Sequence, residues 1–189
     1  KKQVQENMKL LEGKSVCGYG SPAKATTALN YFGIDSSMIQ YTVEDNELKQ
    51  GKLLPGMNIP IRSISRTPNK GPDVCIVLAW NFFDSIVEKN KHMKNTWGTV
   101  FISIKDLQLP IWEFKKLIDP SYKLTVTTFL EEYGNRYSNY LQNNAPDGAY
   151  IKVLPYLKDI ENGFFVEAGA HNGSLASNSN TKILEDCGW

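Results

Sequence analysis

Ser15-Val16-Cys17-Gly18-Tyr19-Gly20-Ser21-Pro22-Ala23-Lys24 is the stretch whose reading decides the fold. A short apolar run enters two glycines, and the glycines lead directly into a helix start, with Ser21 suited to the N-cap and Pro22 to the first helical position. Ala25, Ala28, Leu29 and Phe32 then mark one apolar face before Gly33 stops the helix. Gly18 to Ala23 fits G-x-G-x-x-G/A at a strand-to-helix turn, where the first glycine allows the tight turn and the second lets backbone amides approach a ligand. The helix dipole and free N–H groups point back at this turn, and Lys24 adds a cation, so a phosphate is the natural ligand.

Working outward, Val4, Met8 and Leu11 recur at helical spacing before the breaker Gly13. Downstream, Ile39 to Val43 reads as a strand ending in Glu44-Asp45-Asn46. These acids lie roughly 20 residues past the glycine turn, where a carboxylate can accept hydrogen bonds from ribose hydroxyls. The punctuated stretch Pro55-Gly56 to Pro60 leads to a short strand at Ile61–Ile64, and Val74 to Trp80 is the strongest strand pattern. A helix follows in which Phe82, Phe83, Ile86, Val87 and Met93 share a face, and then a strand over Gly98 to Ile104. Alternating strands and helices with near-continuous apolar strands predict an α/β, Rossmann-like three-layer domain with a mostly parallel sheet and Val74–Trp80 at its centre. Trp80-Asn81 would then flank the crevice where ligands of open α/β sheets bind. The competing reading is that the glycines only close a βα turn, that Lys24, Glu44 and Asp45 are solvated charges, that Trp80 is core and that Asn81 is an N-cap.

Beyond Leu109 the alternation fades. Trp112 to Leu117 looks like a short helix, and the Tyr/Asn-rich stretch from Tyr133 to Pro146 reads as a connector. Ile151 to Leu157 leads through Asn162-Gly163 into an apolar run, Phe164-Phe165-Val166, with Glu167-Ala168-Gly169 at its end and Thr181–Glu185 further on. The expected organisation is a domain over 1–110, a connector over 111–150 and a partial second α/β unit over 151–189.

Composition narrows the function. The 189 residues carry 21 Lys+Arg against 20 Asp+Glu, and 41% are hydrophobic, which excludes disorder and collagen; no apolar run approaches membrane-spanning length. A formal charge of +1 does not supply the cation excess a nucleic-acid binder needs, and around Tyr133 to Tyr140 only Arg136 is interleaved for base stacking. Cys17 and Cys75 sit in apolar runs and Cys187 lies far from both, so no disulfide framework is implied. His92 and His171 are distant, with no metal-ligand spacing around either. The start, Lys1-Lys2-Gln3, lacks a signal-peptide pattern, and the chain reads as a cytoplasmic fragment.

Gly18-Tyr19-Gly20-Ser21-Pro22-Ala23-Lys24, then Leu29-Asn30-Tyr31-Phe32-Gly33-Ile34, Asp45-Asn46, Lys49-Gln50-Gly51, Pro55-Gly56, Ile59-Pro60-Ile61 and Leu78-Ala79-Trp80-Asn81, in this order, resemble the C-terminal domain of deoxysugar C-methyltransferases. The resemblance covers about residues 1–110. It implies that a zinc-bearing N-terminal domain and a central S-adenosylmethionine domain precede this one, and that this domain helps to hold a nucleotide diphospho-sugar at their interface. Gly18, Tyr19, Gly20, Ser21, Lys24 and Asn30 are then expected near the nucleotide-sugar, with Asp45 and Trp80-Asn81 bordering the site. The zinc cysteines and the methyl-transfer domain are missing from this sequence, so it is not expected to be catalytic alone.

Phe164-Phe165-Val166-Glu167-Ala168-Gly169-Ala170-His171-Asn172-Gly173, with Leu175, Ser177-Asn178, Leu184-Glu185 and Gly188-Trp189, resembles the opening of FkbM-type methyltransferases. That resemblance implies that Glu167, Gly169 and Gly173 belong to an S-adenosylmethionine site. The strand that would hold the donor's ribose is expected after Trp189, so these residues are expected to bind the cofactor only in a longer chain. The function expected from the sequence is therefore a nucleotide-sugar-binding portion of an S-adenosylmethionine-dependent, sugar-modifying methyltransferase. The alternative is a stand-alone dinucleotide or nucleotide-sugar binding module of a dehydrogenase or acyltransferase.

Overall fold

In a computed structural model of the chain, which describes residues 1–66, 70–134, 149–164 and 182–189, five parallel strands form one sheet in the order β3-β2-β1-β4-β5. They are β1 (Val16–Tyr19), β2 (Tyr41–Val43), β3 (Ile61–Arg62), β4 (Val74–Val77) and β5 (Val100–Ser103). The chain runs outward from β1 to β3, returns to place β4 against the other side of β1 and continues to β5, so the order reverses between β1 and β4. Cys17 sits opposite Tyr41 on one side and opposite Cys75 on the other.

Helices cover both faces because alternate strand residues point to opposite sides. Val16, Val74, Ile76, Leu78 and Ile102 pack with Val4 and Met8 of α1 (Lys2–Lys9), Leu11 just beyond it, Ala25 and Leu29 of α2 (Ala23–Phe32), and a later helix, α5 (Ile111–Ile118), through Phe114. Cys17, Tyr19, Tyr41, Val43, Cys75 and Val77 pack on the other face with Phe83 and Ile86 of α3 (Phe83–Lys89). This is the three-layer α/β architecture expected from the alternation, with α2 and α3 on opposite faces as right-handed crossovers in opposite directions require. Cys17 and Cys75 are free and buried in it.

Several local expectations need correction. β1, not Val74–Trp80, is the middle strand; β4 lies inside the sheet between β1 and β5 and stops at Val77. It stops because the Leu78 and Ala79 amides both turn toward the Tyr19 carbonyl (2.9 and 3.3 Å), and Trp80 begins a single 3₁₀ turn. The helix after Trp80 is two helices, α3 and α4 (Lys91–Trp97), broken at Asn90, whose buried amide donates to the Ile86 carbonyl (2.8 Å). Phe82, expected on the apolar face, is 65% exposed. Ser21 is not the N-cap of α2: Pro22 holds that position in an extended conformation (φ −72°, ψ 150°). α5, expected within a connector, places Phe114 in the first core, and the first compact unit extends over Lys1–Pro120.

The second unit, Ser121–Trp189, is described only in part. α6 (Val126–Phe129) is capped by the Thr125 hydroxyl, which accepts the Thr128 N–H (3.0 Å), and runs into a π turn over Leu130–Gly134. α7 (Ala149–Leu157) carries Pro155 inside it, and α8 spans Lys182–Asp186. Phe164, the first residue of the expected apolar strand, is 88% exposed. Phe165 to Thr181, including Glu167, Gly169, His171 and Gly173, lie outside the described residues. Among the described residues no helix is long and apolar enough to cross a membrane.

Candidate functional site

Reversal of strand order between β1 and β4 parts the loops that follow them, which makes the carboxyl ends of these strands the place where such sheets bind ligands. The β1 loop is Gly20-Ser21-Pro22, and the β4 loop is Leu78 to Asn81. Glycine is needed in the first for two reasons. Gly20 has φ +85°, and a Cβ there would lie 2.9 Å from the Ala79 Cβ; a Cβ on Gly18 would meet Leu78 and Thr42 at 3.0 Å. The two loops therefore touch each other through the glycines, and the space that the pattern offered to a ligand is filled by the neighbouring strand ends.

The amides of the β1 loop are also spent. Gly20 N–H donates to the Val43 carbonyl (2.7 Å), and the Ser21 N–H donates to Glu44 Oε2 (3.0 Å), joined there by the Ser21 hydroxyl. Lys49 Nζ donates to the Ser21 carbonyl (3.1 Å) and lies 3.6 Å from the same Glu44 oxygen. The other Glu44 oxygen accepts the Asn46 N–H (3.0 Å), and Gln50 donates to the Glu44 carbonyl (2.9 Å). Burial works to raise the Glu44 pKa, but the bonds from Ser21 and Asn46 and the Lys49 charge more than offset it and hold the carboxyl below its ordinary value. Glu44 thus sits at the glycine turn as a built-in anion.

Asp45 turns to the other face. The Tyr19 hydroxyl lies 3.1 and 3.2 Å from its two oxygens, and Lys89 pairs with it at 2.8 Å. Burial pushes the Tyr19 phenol up, with Asn90 opposing that shift and Asp45 adding to it. Asp45 keeps a side chain 51% exposed, so it is oriented without being enclosed. Asn90 Oδ1, by contrast, is buried with no hydrogen-bond partner among the described residues.

On the α1/α2/α5 face of the same crevice, Lys24 Nζ lies 3.8 Å from the centroid of the Trp80 ring, and Lys105 Nζ, from the 3₁₀ segment Ile104–Gln108 after β5, lies 5.8 Å from it. Trp80 is half-buried against the core, and Asn81 is exposed. The helix N-cap after Asn81 is Phe82 rather than Asn81.

Of the residues singled out in the sequence, the structure places Gly18, Gly20, Ser21, Glu44, Asp45, Trp80 and Asn81 in or just past the strands β1, β2 and β4, and Lys24 in the first turn of α2. Tyr19 meets the site through its hydroxyl, at Asp45, and through its carbonyl, at the Leu78 and Ala79 amides. Asn30 stands near the end of α2, where it donates to the Pro55 carbonyl (3.0 Å) and packs against Gly56, tying α2 to the turn before β3. Sequence reasoning assigned no role to Lys49, Gln50, Lys89 or Lys105. Each acts on a residue far away in sequence or across a turn, and no local spacing signals that.

A Rossmann-like sheet with this loop arrangement defines the class. Within it, residues 4–104 match the C-methyltransferase C-terminal domain family, and the chain belongs to that family. It is also 33% identical over 106 residues to the C-methyltransferase NovU of Streptomyces niveus, an alignment that covers 55% of this chain and 25% of NovU. The chain thus spans about a quarter of the length of that relative.

Proposed function

We propose that this chain is the substrate-holding part of a sugar-modifying, S-adenosylmethionine-dependent C-methyltransferase, acting in the cytoplasm on a nucleotide diphospho-sugar. The observation that carries the reading is the pair of lysines on Trp80 at the switch point of a domain of this family. Cations beside an aromatic face suit a phosphate-bearing ligand with a ring to stack. Lys24, Trp80, Asn81 and Asp45 would touch the ligand, Asp45 accepting from sugar hydroxyls. Gly18, Tyr19, Gly20, Ser21, Glu44 and Asn30 would build the walls that hold them in place.

C-methylation requires a base to remove a proton beside a sugar carbonyl and a sulfonium methyl held in line. Those groups would come from a methyl-transfer domain of the larger protein. Glu167, Gly169 and Gly173 would contribute to a donor site of a second, FkbM-like unit only within a longer chain. Internal use of the Gly20 and Ser21 amides speaks against a dinucleotide held by the glycine turn, as a dehydrogenase module would need.

Calorimetric titration of the 189-residue chain with uridine and thymidine diphospho-sugars, and separately with S-adenosylmethionine, tests the reading. Binding of a nucleotide diphospho-sugar without binding of the methyl donor is expected. Binding of the donor alone would contradict it.

A further inference from the structure

The loop amides of the glycine turn, and those of the strand end facing it, are already committed at this crevice. Gly20 N–H goes to Val43, Ser21 N–H to Glu44, and Leu78 and Ala79 N–H to Tyr19. A phosphate entering the turn would also meet the Glu44 carboxylate, which its hydrogen bonds keep ionised. Like charges at that range repel, so the turn disfavours the ligand its sequence pattern suggests.

The opposite holds at Lys24, three residues on from Ser21. Lys24 and Lys105 come from different elements, α2 and the segment after β5, yet both reach the Trp80 ring. Among the described residues neither ammonium has a carboxylate partner. Asp106, next in sequence to Lys105, uses its carboxylate to accept the Ser103 N–H (2.7 Å) and close a capping box. Helix geometry leaves the Ala23 and Lys24 amides without intrahelical acceptors beside this point.

We infer that the diphosphate of the ligand is received by a shelf formed by Lys24, Lys105 and the Trp80 face, with Lys105 as a binding residue in its own right, and that Glu44 keeps the glycine turn closed to phosphate. This rests on the nucleotide-sugar reading above and adds which groups hold the charged part of the ligand. The ammonium groups turn from the indole to the phosphate oxygens, and the freed ring face takes the adjoining sugar or base.

Inorganic pyrophosphate is the probe that separates this inference from the reading beneath it. It is titrated into the 15N-labelled chain while the Trp80 indole resonance, assigned through Trp80→Phe, and the Gly20 and Ser21 amides are followed. The expected result is a saturable shift of the Trp80 indole, with the Gly20 and Ser21 hydrogen bonds retained, and a dissociation constant raised about fivefold or more in Lys105→Ala. Lys105→Arg, which keeps the charge, restores most of the affinity, whereas a merely structural role for Lys105 would show as altered unfolding without that rescue. Absence of pyrophosphate binding, or binding that shifts the loop amides and is untouched by Lys105→Ala, overturns the shelf. If pyrophosphate binds as expected and no nucleotide diphospho-sugar does, the nucleotide-sugar reading fails while the anion shelf stands.

Discussion

Around the glycine turn, Gly20, Ser21, Glu44, Lys49 and Gln50 satisfy one another, whereas on the shelf Lys24 and Lys105 meet an indole. Both regions are polar and both sit at the carboxyl edge of the same sheet. Their difference teaches that a phosphate-loop pattern can be fulfilled by the protein itself: the glycines allow two loops to touch, and an acid from the next strand takes the anion's place. Groups that are fully satisfied contribute to stability, and charges left unpaired at a crevice are the ones available to a ligand.

If that division holds, substitutions in the turn act on folding and substitutions on the shelf act on binding. Gly20→Ala should have the largest effect. It forces a Cβ into a left-handed conformation and against Ala79, at about 2–4 kcal/mol of stability in urea unfolding. Glu44→Ala comes next, at about 1–3 kcal/mol, because it leaves the N–H and hydroxyl of buried Ser21 without their acceptor and removes the carboxylate beside the Lys49 ammonium.

The same group gives a pH dependence with a defined sign. Because the folded pKa of Glu44 lies below the ordinary 4.5, its contribution is fully present above that unfolded value and is lost as the pH falls through the lower folded one. Asp73 behaves alike from below its ordinary 3.8, held down by the Ser15 N–H and hydroxyl (2.7 and 2.8 Å) at the opposite end of β1. Unfolding measured at pH 7, 5 and 3 should therefore show loss of stability mainly in the last step, and a smaller loss in Glu44→Gln. A stability that is flat down to pH 3 would break the comparison on the turn side.

Asn30→Ala sharpens it from another direction. Its amide reaches the Pro55 carbonyl, so a cost of about 0.5–1.5 kcal/mol with unchanged ligand affinity is expected from unfolding and calorimetry. A loss of affinity without loss of stability would return Asn30 to the ligand.

The sequence made β1, α2 and the layer arrangement legible because these depend on local periodicity and punctuation: Val16 to Tyr19 is apolar and bounded, α2 shows an apolar stripe, and Gly33 ends it with φ +73°. Lys24, Asp45 and Trp80 were legible as site candidates because topology fixes where strands end. What escaped was every feature decided by a distant partner. Ser21 suits an N-cap, but Glu44 draws its hydroxyl away and Pro22 takes the position. The break at Asn90 comes from a buried side chain bonded to its own helix, inside what reads as one apolar face. Lys105 follows an unremarkable strand end, and only the sheet order brings it to Trp80.

Lys24→Ala isolates the shelf from the turn, since the side chain is exposed and has no role in the loop's hydrogen bonds. Calorimetry with a nucleotide diphospho-sugar, run beside urea unfolding on the same preparation, should show stability within about 0.5 kcal/mol of the parent chain and binding weakened by about 1–3 kcal/mol. Unchanged affinity in Lys24→Ala, with the parent chain binding well, would contradict the account and return the phosphate to the glycine turn.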